Sequence, residues 1–382
     1  MRVLHFYKDY FPESVGGIEQ VIRQMCVGTG RLGVRNEVLT LTRGKDLRPF
    51  EFEGHLVRRV PLDFSIASTG FALAAFGELA RRAAECDVVH YHFPWPFMDL
   101  AHFVARVNKP TLVTYHSDIV RQKTLLKLYQ PLKHRFLRSV DAIVATSPNY
   151  LASSEVLGRY RNKTHTITYG LDKSIYPAPE PARLAQWRAR VGEKFFLFVG
   201  VLRYYKGLHI LLDAVARRDY PVVIVGAGPI EHELKAHAAR LGLTHVLFVG
   251  AVDDADKVAL LTLCYALAFP SHLRSEAFGI SLLEGAMYGK PMISSEIGTG
   301  TSYINIDGET GLVVPPSDPQ AFGEAMRTLW DNPALAQAMG ARAEARYQRL
   351  FTAERMASNY HALYRDLVAR HAKTRLSRAH VR

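Results

Sequence analysis

A chain of 382 residues that is 48% hydrophobic can bury two cores of ordinary size, so we expect two domains. Its three cysteines, Cys26, Cys86 and Cys264, lie far apart in apolar runs, which excludes a disulfide framework and is typical of a reducing compartment such as the cytoplasm. No apolar stretch is long enough to cross a bilayer, and the formal net charge of +12 favours phosphorylated substrates, anionic lipid or nucleic acid without choosing among them.

Short β-rich runs alternate with helical patterns through the first half of the chain. Such alternation predicts a parallel sheet covered by helices. In chain order, the predicted strands and helices cover residues 3–7, 18–28, 37–42, 71–84, 88–92, 111–115 and 142–146.

Two glycines, Gly16 and Gly17, stand between the first predicted strand and the helix that follows it. Glycine lets a backbone approach a ligand closely, so this turn is a candidate contact for a diphosphate. A plain strand-to-helix turn explains the same residues equally well. The dinucleotide fingerprint Gly-x-Gly-x-x-Gly is missing here, which argues against a nicotinamide dehydrogenase.

Several polar residues lie on or just after predicted strands, where open parallel sheets bind ligands. His116 follows strand 111–115 and is a candidate site residue, although hydrogen bonds to neighbouring carbonyls explain it equally well. Asp118 fits a helix cap better than an acceptor contact. His90 and His92 share one face of a strand, but no third ligand lies nearby in the sequence, so we expect no metal there.

The segment from Arg121 to Arg138 interleaves cations with leucines and aromatic residues. Each cation near an anionic lipid surface adds on the order of 1 kcal/mol of attraction, so the segment would bind such a membrane if its charges share one face. A pair of core-packed helices with a basic, solvated side is the alternative. Nucleic acid is not expected as a partner, because no recognised binding module accompanies the charge.

Three alternating prolines, Pro177, Pro179 and Pro181, predict a linker, because proline continues neither a helix nor a strand ladder. A second doubly wound series follows, so we predict domains at residues 1–173 and 182–356. Its strands are predicted at residues 195–199, 222–225, 246–248, 266–269, 292–294 and 311–314.

Two cations, Arg203 and Lys206, follow the first strand of the second series. They are placed to neutralise the charge that develops on a leaving diphosphate, and a solvated loop is the alternative. The later run Asp253-Asp254-Ala-Asp256 superficially resembles a metal-binding motif. Because it precedes a helix, capping explains it, and we expect no metal.

A run that reads Arg-Ser-Glu-Ala-Phe-Gly-Ile-Ser-Leu-Leu-Glu begins at residue 274 and predicts a loop, a helix cap at Gly279 and a helix with a carboxylate in its first turn. The first backbone N–H groups of that helix, at Ile280, Ser281 and the next residue, would attract a phosphate. Glu276 and Glu284 are then placed to bind hydroxyl groups on either side. Alone the pair is weak evidence, because acidic residues are common at helix starts.

Together these segments resemble the family-four retaining glycosyltransferases, which have the α/β GT-B fold. The resemblance implies two doubly wound, Rossmann-like domains that face each other across a cleft. The first would lie on the acceptor side and the second would bind the nucleotide-sugar, with the terminal residues 357–382 crossing back onto the first. The likeness covers nearly the whole chain and rests on four motifs: Gly16-Gly17-Ile18-Glu19, Tyr115-His116-Ser117-Asp118, Phe198-Val-Gly200 with Lys206-Gly207, and Glu276 with Glu284.

The resemblance also implies roles for single residues. His116 would lie beside the transferred sugar, Gly16-Gly17 beside the donor diphosphate, and Val252 where the backbone meets the base. The family commonly has an arginine where this chain has Val201, so Arg203 is the candidate substitute. The predicted catalytic residues are His116, Glu276, Lys206 and Arg203, and the predicted donor-binding residues are Gly16, Gly17, Arg203, Lys206, Val252, Glu276, Gly279, Ile280, Ser281 and Glu284.

The function implied by the resemblance is transfer, with retention, of a mannose-like or rhamnose-like hexose from a guanosine diphosphate donor, without metal or other cofactor. The acceptor would be a saccharide, free or linked to polyprenyl diphosphate, in the assembly of a surface polysaccharide such as lipopolysaccharide. We expect a cytoplasmic protein with peripheral contact to an anionic membrane. The alternatives are a uridine diphosphate donor, a nucleotide-sugar epimerase of the same architecture, and a noncatalytic basic protein that binds membranes.

Overall fold

The computed structural model describes residues 1–14, 16–66, 69–119 and 123–380, and the chain forms two compact units. The first unit comprises Met1–Gly170 together with Ala353–Arg382, and the second comprises Leu171–Thr352. Over the described ranges, no helix combines the length and the apolar character that a membrane span requires.

The first unit is built on an eight-stranded sheet with the order β10-β9-β8-β7-β1-β2-β4-β3. The edge strand β3 pairs antiparallel with β4, and the other pairs are parallel. A separate hairpin is formed by β5 and β6. The strands are β1 Arg2–Phe6, β2 Arg35–Thr42, β3 Phe50–Phe52, β4 His55–Pro61, β5 Phe64–Ile66, β6 Thr69–Phe71, β7 Val88–Phe93, β8 Thr111–Tyr115, β9 Ala142–Ala145 and β10 Thr164–Thr166.

Helices cover this sheet and bury its central strands, so that β7 is buried along its whole length. The predicted alternation of strands and helices is confirmed, but the sequence analysis missed β3 to β6 and β10. Charged pairs such as Arg58 and Arg59 interrupt the alternating apolar pattern of β4, which hides this strand from a pattern-based search. The helices are α1 Gly17–Arg31, α2 Ala74–Glu85, α3 Pro96–Val104, α4 Lys123–Ser139, α5 Pro148–Ser153 and α6 Glu155–Gly158.

The second unit contains a six-stranded parallel sheet with the order β13-β12-β11-β14-β15-β16. The chain builds outward from β11 in one direction and then returns to place β14 on its other side. The carboxyl ends of β11 and β14 therefore form a topological switch point, where doubly wound sheets bind ligands. All six strands were predicted: β11 Phe196–Val199, β12 Val222–Val225, β13 Val246–Gly250, β14 Ala266–Phe269, β15 Met292–Ser295 and β16 Gly311–Val314.

The core of the second unit forms where apolar helix faces meet this sheet, and Leu208 and Leu211 share one buried cluster with Phe196 and Phe198 of β11. Both sides of the sheet are covered because the parallel strands are joined by helical crossovers. The helices of this unit are α7 Pro181–Val191, α8 Leu208–Val215, α9 Glu231–Arg240, α10 Asp254–Leu263, α11 Ile280–Met287, α12 Thr301–Ile304, α13 Pro319–Asp331 and α14 Pro333–Leu350.

The last helix, α15 Ala353–His380, belongs to the first unit, which confirms that the chain crosses back. It packs against α1 so closely that a Cβ atom on Gly28 would lie 2.7 Å from the Cβ atom of Ala357. A side chain at residue 28 would therefore push the two helices apart. The apolar stripe of α15 is buried at each of its positions, Met356, Tyr360, Leu363, Tyr364 and Leu367.

Candidate functional site

The switch point of the second unit brings the loop after β11 next to the loop after β14. Lys206 ends a short 3-10 turn, Tyr204–Lys206, that follows β11. The next residue, Gly207, has a φ angle of 69°, and a Cβ atom there would lie 2.0 Å from the carbonyl oxygen of Pro270. Glycine is therefore required for the turn to pack on the loop after β14.

Lys206 and Glu276 form a buried ion pair at this point, with Lys206 Nζ donating to Glu276 Oε2. Ser271 Oγ donates to the same carboxylate oxygen over 3.2 Å, and Lys206 Nζ lies 5.2 Å from the centre of the Phe269 ring. Burial alone would lower the pKa of Lys206, but the charge and hydrogen bond of Glu276 raise it above its ordinary value. Lys206 is therefore a cation over the whole physiological pH range.

Helix α11 begins beside this pair. Gly279 precedes it with a φ angle of 95°, and the first hydrogen bond of the helix runs from Leu283 N to Gly279 O over 3.2 Å. The N–H groups at residues 280 to 282 consequently have no acceptor within the helix, which gives this end a partial positive charge. A Cβ atom on Gly279 would lie 3.3 Å from the Phe269 ring, so Phe269 contacts both the helix start and Lys206.

The prediction that Glu284 lies in the first turn of α11 is wrong. Helix α11 begins at Ile280, so Glu284 is its fifth residue and belongs to the second turn. Its buried carboxylate accepts a hydrogen bond from Tyr176 Oη over 3.0 Å and pairs with Lys257 Nζ at 3.1 Å. Burial opposes the charge of Lys257, but Glu284 and Asp254 raise its pKa above its ordinary value.

Two further predicted donor residues lie on neighbouring loops of the second unit. Arg203 is exposed, and its guanidinium forms no hydrogen bond or ion pair with any residue that the structure describes. Val252 is half-buried in the loop between β13 and α10. The predicted capping by Asp253 is confirmed, because its side chain accepts from the N–H group of Asp256 over 2.7 Å. Asp256 in turn accepts from Arg183 and is held as part of an ion pair.

The predicted glycine turn lies in the first unit. Gly16 is extended, and a Cβ atom there would lie 2.6 Å from Glu19 Oε2, while Gly17 opens α1. Glu19 is buried and accepts from Ser14 Oγ over 2.7 Å. Burial raises the pKa of Glu19, and the hydrogen bond from Ser14 opposes that shift. Glu19 belongs to the first sequence motif, but its burial was not predicted.

His116, also in the first unit, is buried directly after β8. Its Nε2 atom lies 3.0 Å from His92 Nδ1, and its Nδ1 atom is hydrogen-bonded to the hydroxyl of Tyr169. Burial lowers the pKa of His116 to about 3, so the ring is uncharged at neutral pH. Asp118 Oδ1 accepts from Tyr115 Oη over 2.9 Å and from Ser154 Oγ over 3.1 Å. Its capping of the next helix stays a prediction, because residues 120–122 lie outside the described residues.

The structure brings a third histidine to the pair that the sequence analysis considered as metal ligands. His5, on the neighbouring strand β1, lies with His90 and His92 so that one ligand atom from each is within 4.8 Å of the others. A third histidine is therefore available in space, although none lies nearby in the sequence. Parallel pairing of β1 with β7 supplies the missing residue.

From Lys123 onward, the basic segment forms one helix, α4, rather than a pair of helices. Lys127, Arg135 and Arg138 are exposed, but Lys133 is buried and does not contribute to a basic surface. Arg121 and the residue after it lie outside the described residues, and the side chain of Lys123 does too.

The site in the second unit also contains residues that the sequence analysis missed. Ser271 bonds to Glu276, while Tyr176 and Lys257 bond to Glu284. Tyr176 lies in the stretch interpreted only as a linker, and Lys257 lies 27 positions before its partner. Neither spacing repeats a helical or strand period, so no signal in the sequence alone would have joined them.

Two family models match the chain. One, described as "Glycosyltransferase Family 4", matches residues 15–175, and the other, "Glycosyl transferases group 1", matches residues 181–346. The chain is 67% identical over 353 residues to "D-rhamnosyltransferase WbpZ" of Pseudomonas aeruginosa, covering 92% of this chain and 93% of that one. It is 51% identical over 368 residues to "O-antigen chain mannosyltransferase C" of Escherichia coli, covering 96% and 99%.

The fold also matches a solved structure. The sucrose-phosphate synthase of Thermosynechococcus elongatus superimposes with a TM-score of 0.79 over 96% of this chain and 99% of that one, at 22% sequence identity. Such a likeness at low identity establishes the architecture, with two Rossmann-like domains, and leaves the chemistry to the site residues.

Proposed function

The chain belongs to the family 4 glycosyltransferases, and from that membership we propose that it is a retaining hexosyltransferase that moves a mannose-like or rhamnose-like sugar from a GDP-sugar to a saccharide acceptor. Membership sets aside the epimerase and the noncatalytic binding protein. The observation that carries the proposal is the buried Lys206–Glu276 pair beside the start of α11, at the switch point of the second unit.

The donor diphosphate is assigned to the positive groups at this point. Lys206 stays charged because Glu276 raises its pKa, the start of α11 offers N–H groups, and Arg203 is exposed without a protein partner among the described residues. These groups stabilise the negative charge that forms on the diphosphate as it leaves. Because they supply the positive charge that a divalent cation would otherwise bring, we propose a reaction that needs no metal.

The two glutamates are assigned to hydroxyl groups of the donor. Glu276 would accept hydrogen bonds from the hexose, and Glu284 from the ribose, while Val252 lies beside the base. Both carboxylates have a cationic partner in the protein, and each has further lone pairs that can accept hydrogen bonds from hydroxyl groups. The contributions of Gly16, Gly17 and His116 from the first unit stay predictions.

Retention requires that the acceptor enters the face from which the diphosphate departs. The bond between the anomeric carbon and the diphosphate oxygen breaks, the acceptor hydroxyl oxygen bonds to that carbon, and its proton passes to the departing diphosphate oxygen. Glu276 is engaged by Lys206 and Ser271, so the double displacement of hydrolases, which uses a free carboxylate nucleophile, does not fit this residue.

The acceptor class follows from the relatives. One is named for transfer of rhamnose and the other for mannose transfer to an O-antigen chain. We propose that this chain extends a growing surface polysaccharide carried on polyprenyl diphosphate.

An acceptor of that kind lies at a membrane, and we assign the contact to α4. Lys127, Arg135 and Arg138 are exposed and fall on one face at 3.6 residues per turn, with the 77% exposed Leu128 at its margin. Flotation with vesicles of anionic or zwitterionic lipid tests this assignment. Reversing Lys127 and Arg138 to glutamate is expected to abolish binding to anionic vesicles, whereas the same change in net charge at exposed Lys45 and Arg217 leaves binding intact.

A panel of donors tests the proposed reaction. We expect transfer from GDP-mannose or GDP-rhamnose to a synthetic lipid-linked acceptor, an unchanged rate in EDTA, and an α or β configuration in the product that matches the donor by NMR. GDP should raise the melting temperature more than UDP or ADP. Turnover with UDP-sugars alone would discard the donor assignment, and inversion in the product would discard the mechanism.

A further inference from the structure

A chain of buried side chains connects His116 to the interior of the first unit. His116 Nε2 lies 3.0 Å from His92 Nδ1, His92 Nε2 lies 3.2 Å from His5 Nδ1, and His5 Nε2 lies 3.3 Å from Asn36 Oδ1. Each of the four residues is buried. Each ring uses both nitrogens, one toward each neighbour, and Tyr169 Oη completes the chain at His116 Nδ1.

Asn36, at the end of this series of hydrogen bonds away from His116, fixes the direction of each bond. Asn36 Nδ2 donates to the carbonyl oxygen of Cys26 and to Thr29 Oγ1, each over 2.9 Å. A carbonyl only accepts, so the amide cannot be turned around, and Asn36 Oδ1 must accept from His5 Nε2.

The donor and acceptor nitrogens of His5, His92 and His116 then follow one after another, because each ring is uncharged. Burial lowers the pKa of His5 and of His116 to about 3, and it holds the pKa of His92 well below the ordinary value. A neutral imidazole has one donor and one acceptor. With His5 donating from Nε2, His92 must donate to His5 Nδ1 from its own Nε2, and His116 must likewise donate from Nε2 to His92.

A metal ion among His5, His90 and His92 would need nitrogens that are already occupied. His90 Nδ1 lies 2.7 Å from Tyr364 Oη, and His90 Nε2 lies 2.7 Å from Thr114 Oγ1. Each ring of this cluster therefore has a protein partner at both nitrogens, which favours the hydrogen-bonded chain over coordination.

We propose that Asn36, acting through His5 and His92, fixes His116 as the tautomer with its proton on Nε2, so that His116 meets a ligand only as an acceptor at Nδ1. The ligand group is a sugar hydroxyl that takes the place of Tyr169 Oη. This inference rests on the proposed function for its ligand, and Asn36, His5 and His92 are positioning residues. An uncharged ring suits the site, because the sugar develops positive charge during transfer and an imidazolium would oppose it.

The tautomer is tested in the full-length protein with ¹⁵N-labelled histidine, from correlations between ring carbon-bound protons and ring nitrogens. We expect His116 to carry its proton on Nε2. His92→Phe removes the acceptor for that proton and is expected to shift the ring toward the Nδ1-protonated form. His92→Gln retains one donor and one acceptor and is expected to restore the original signature. His90→Phe is the matched control, since His90 is an equally buried histidine on the same strand but outside the chain.

Steady-state kinetics then test whether His116 contributes to binding of the nucleotide-sugar donor. For His92→Phe we expect the KM for the donor to rise about tenfold, the worth of one hydrogen bond, with most of the loss recovered in His92→Gln and little change in His90→Phe. Two results for the wild-type protein alone would overturn the proposed hydrogen-bond direction: a His116 ring protonated on Nδ1, or stoichiometric zinc in the purified protein. An unchanged KM in His92→Phe with the tautomer shifted overturns the role toward the sugar. Absence of transfer by the wild-type protein would refute the proposed function, while the ring spectrum still decides the tautomer.

Discussion

The two sheets share a doubly wound, largely parallel design, yet the polar groups near their switch points differ in charge. In the first unit they are neutral histidines that hydrogen-bond one another, as at His92 and His116. In the second unit they are ion pairs, Lys206 with Glu276 and Lys257 with Glu284, beside a helix start. Topology thus places a site, while the side chains decide what it binds: a cationic edge suits a diphosphate, and a neutral one suits hydroxyl groups.

Acidification is expected to produce the largest difference between the two units, as a loss of stability in the first unit. A histidine with a lowered folded-state pKa contributes stability that is present above its unfolded pKa near 6.5 and is lost as the pH falls below it. Between pH 7 and 5.5 each of four such histidines costs about 1.25 kcal/mol of stability, or about 5 kcal/mol together. These four are the most deeply buried histidines of the first unit, His5, His90, His92 and His116. Burial also lowers the pKa values of His55 and His102 in that unit, to about 4.

Hydrogen exchange measured by mass spectrometry at both pH values localises this loss. Peptides of the first unit are expected to lose protection at pH 5.5 well before those of the second. Lowered pKa values at half-buried His209 and buried His272 give the second unit a smaller share of such dependence. Equal losses of protection in both units would contradict a difference in buried histidines as the cause.

Replacing Lys206 tests the electrostatic role of its charge in the second unit. For Lys206→Ala we expect transfer to fall about a thousandfold, equivalent to about 4 kcal/mol of transition-state stabilisation. Rates are compared per folded molecule, because the change also leaves the buried Glu276 without its cation. Lys290→Ala is the control, since Lys290 Nζ bonds to a backbone carbonyl, that of Thr262, in the same unit. Wild-type turnover in Lys206→Ala would remove the charge argument.

Substitution of glycine tests how closely the loop after β11 packs on the loop after β14. Gly207 and Gly242 have φ angles of 69° and 68°, but only at Gly207 would a Cβ atom collide, with the carbonyl of Pro270. Alanine is expected to cost about 1 kcal/mol at Gly242 from backbone strain and about 3 kcal/mol at Gly207. Urea denaturation measures both free energies of unfolding. Equal costs at the two positions would show that the loop after β11 moves freely from the loop after β14.

The smallest expected effect concerns Glu284. Glu284→Gln keeps an acceptor for Tyr176 Oη but loses the charge that pairs with Lys257, so we expect about tenfold weaker binding of GDP by calorimetry. Glu324→Gln, which breaks ion pairs on the surface of the same unit, is the control and should bind GDP normally. Undiminished affinity in Glu284→Gln would remove this residue from the proposed ribose contact.

Much of the second unit could be predicted, because its signals are local. Each buried parallel strand is a short apolar run, and Gly279 followed by an apolar helix marks the start of α11. The partners of Glu284 could not be predicted, since Tyr176 and Lys257 reach it from a linker and a different helix. The start of α11 at Ile280 was predicted correctly, but Glu284 is its fifth residue and falls about one position beyond the first turn of 3.6 residues.

The amino-acid sequence by itself determined the family, the alternation of strands and helices in both units and the residues from which a donor site is drawn, because periodicity and short motifs act over neighbouring residues. Only the tertiary structure decided how those residues are paired. Parallel pairing set His5 beside His92, and the return of the chain to β14 set Glu276 against Lys206. Hydrogen-bond direction and buried charge depend on such distant neighbours, which no window of sequence contains.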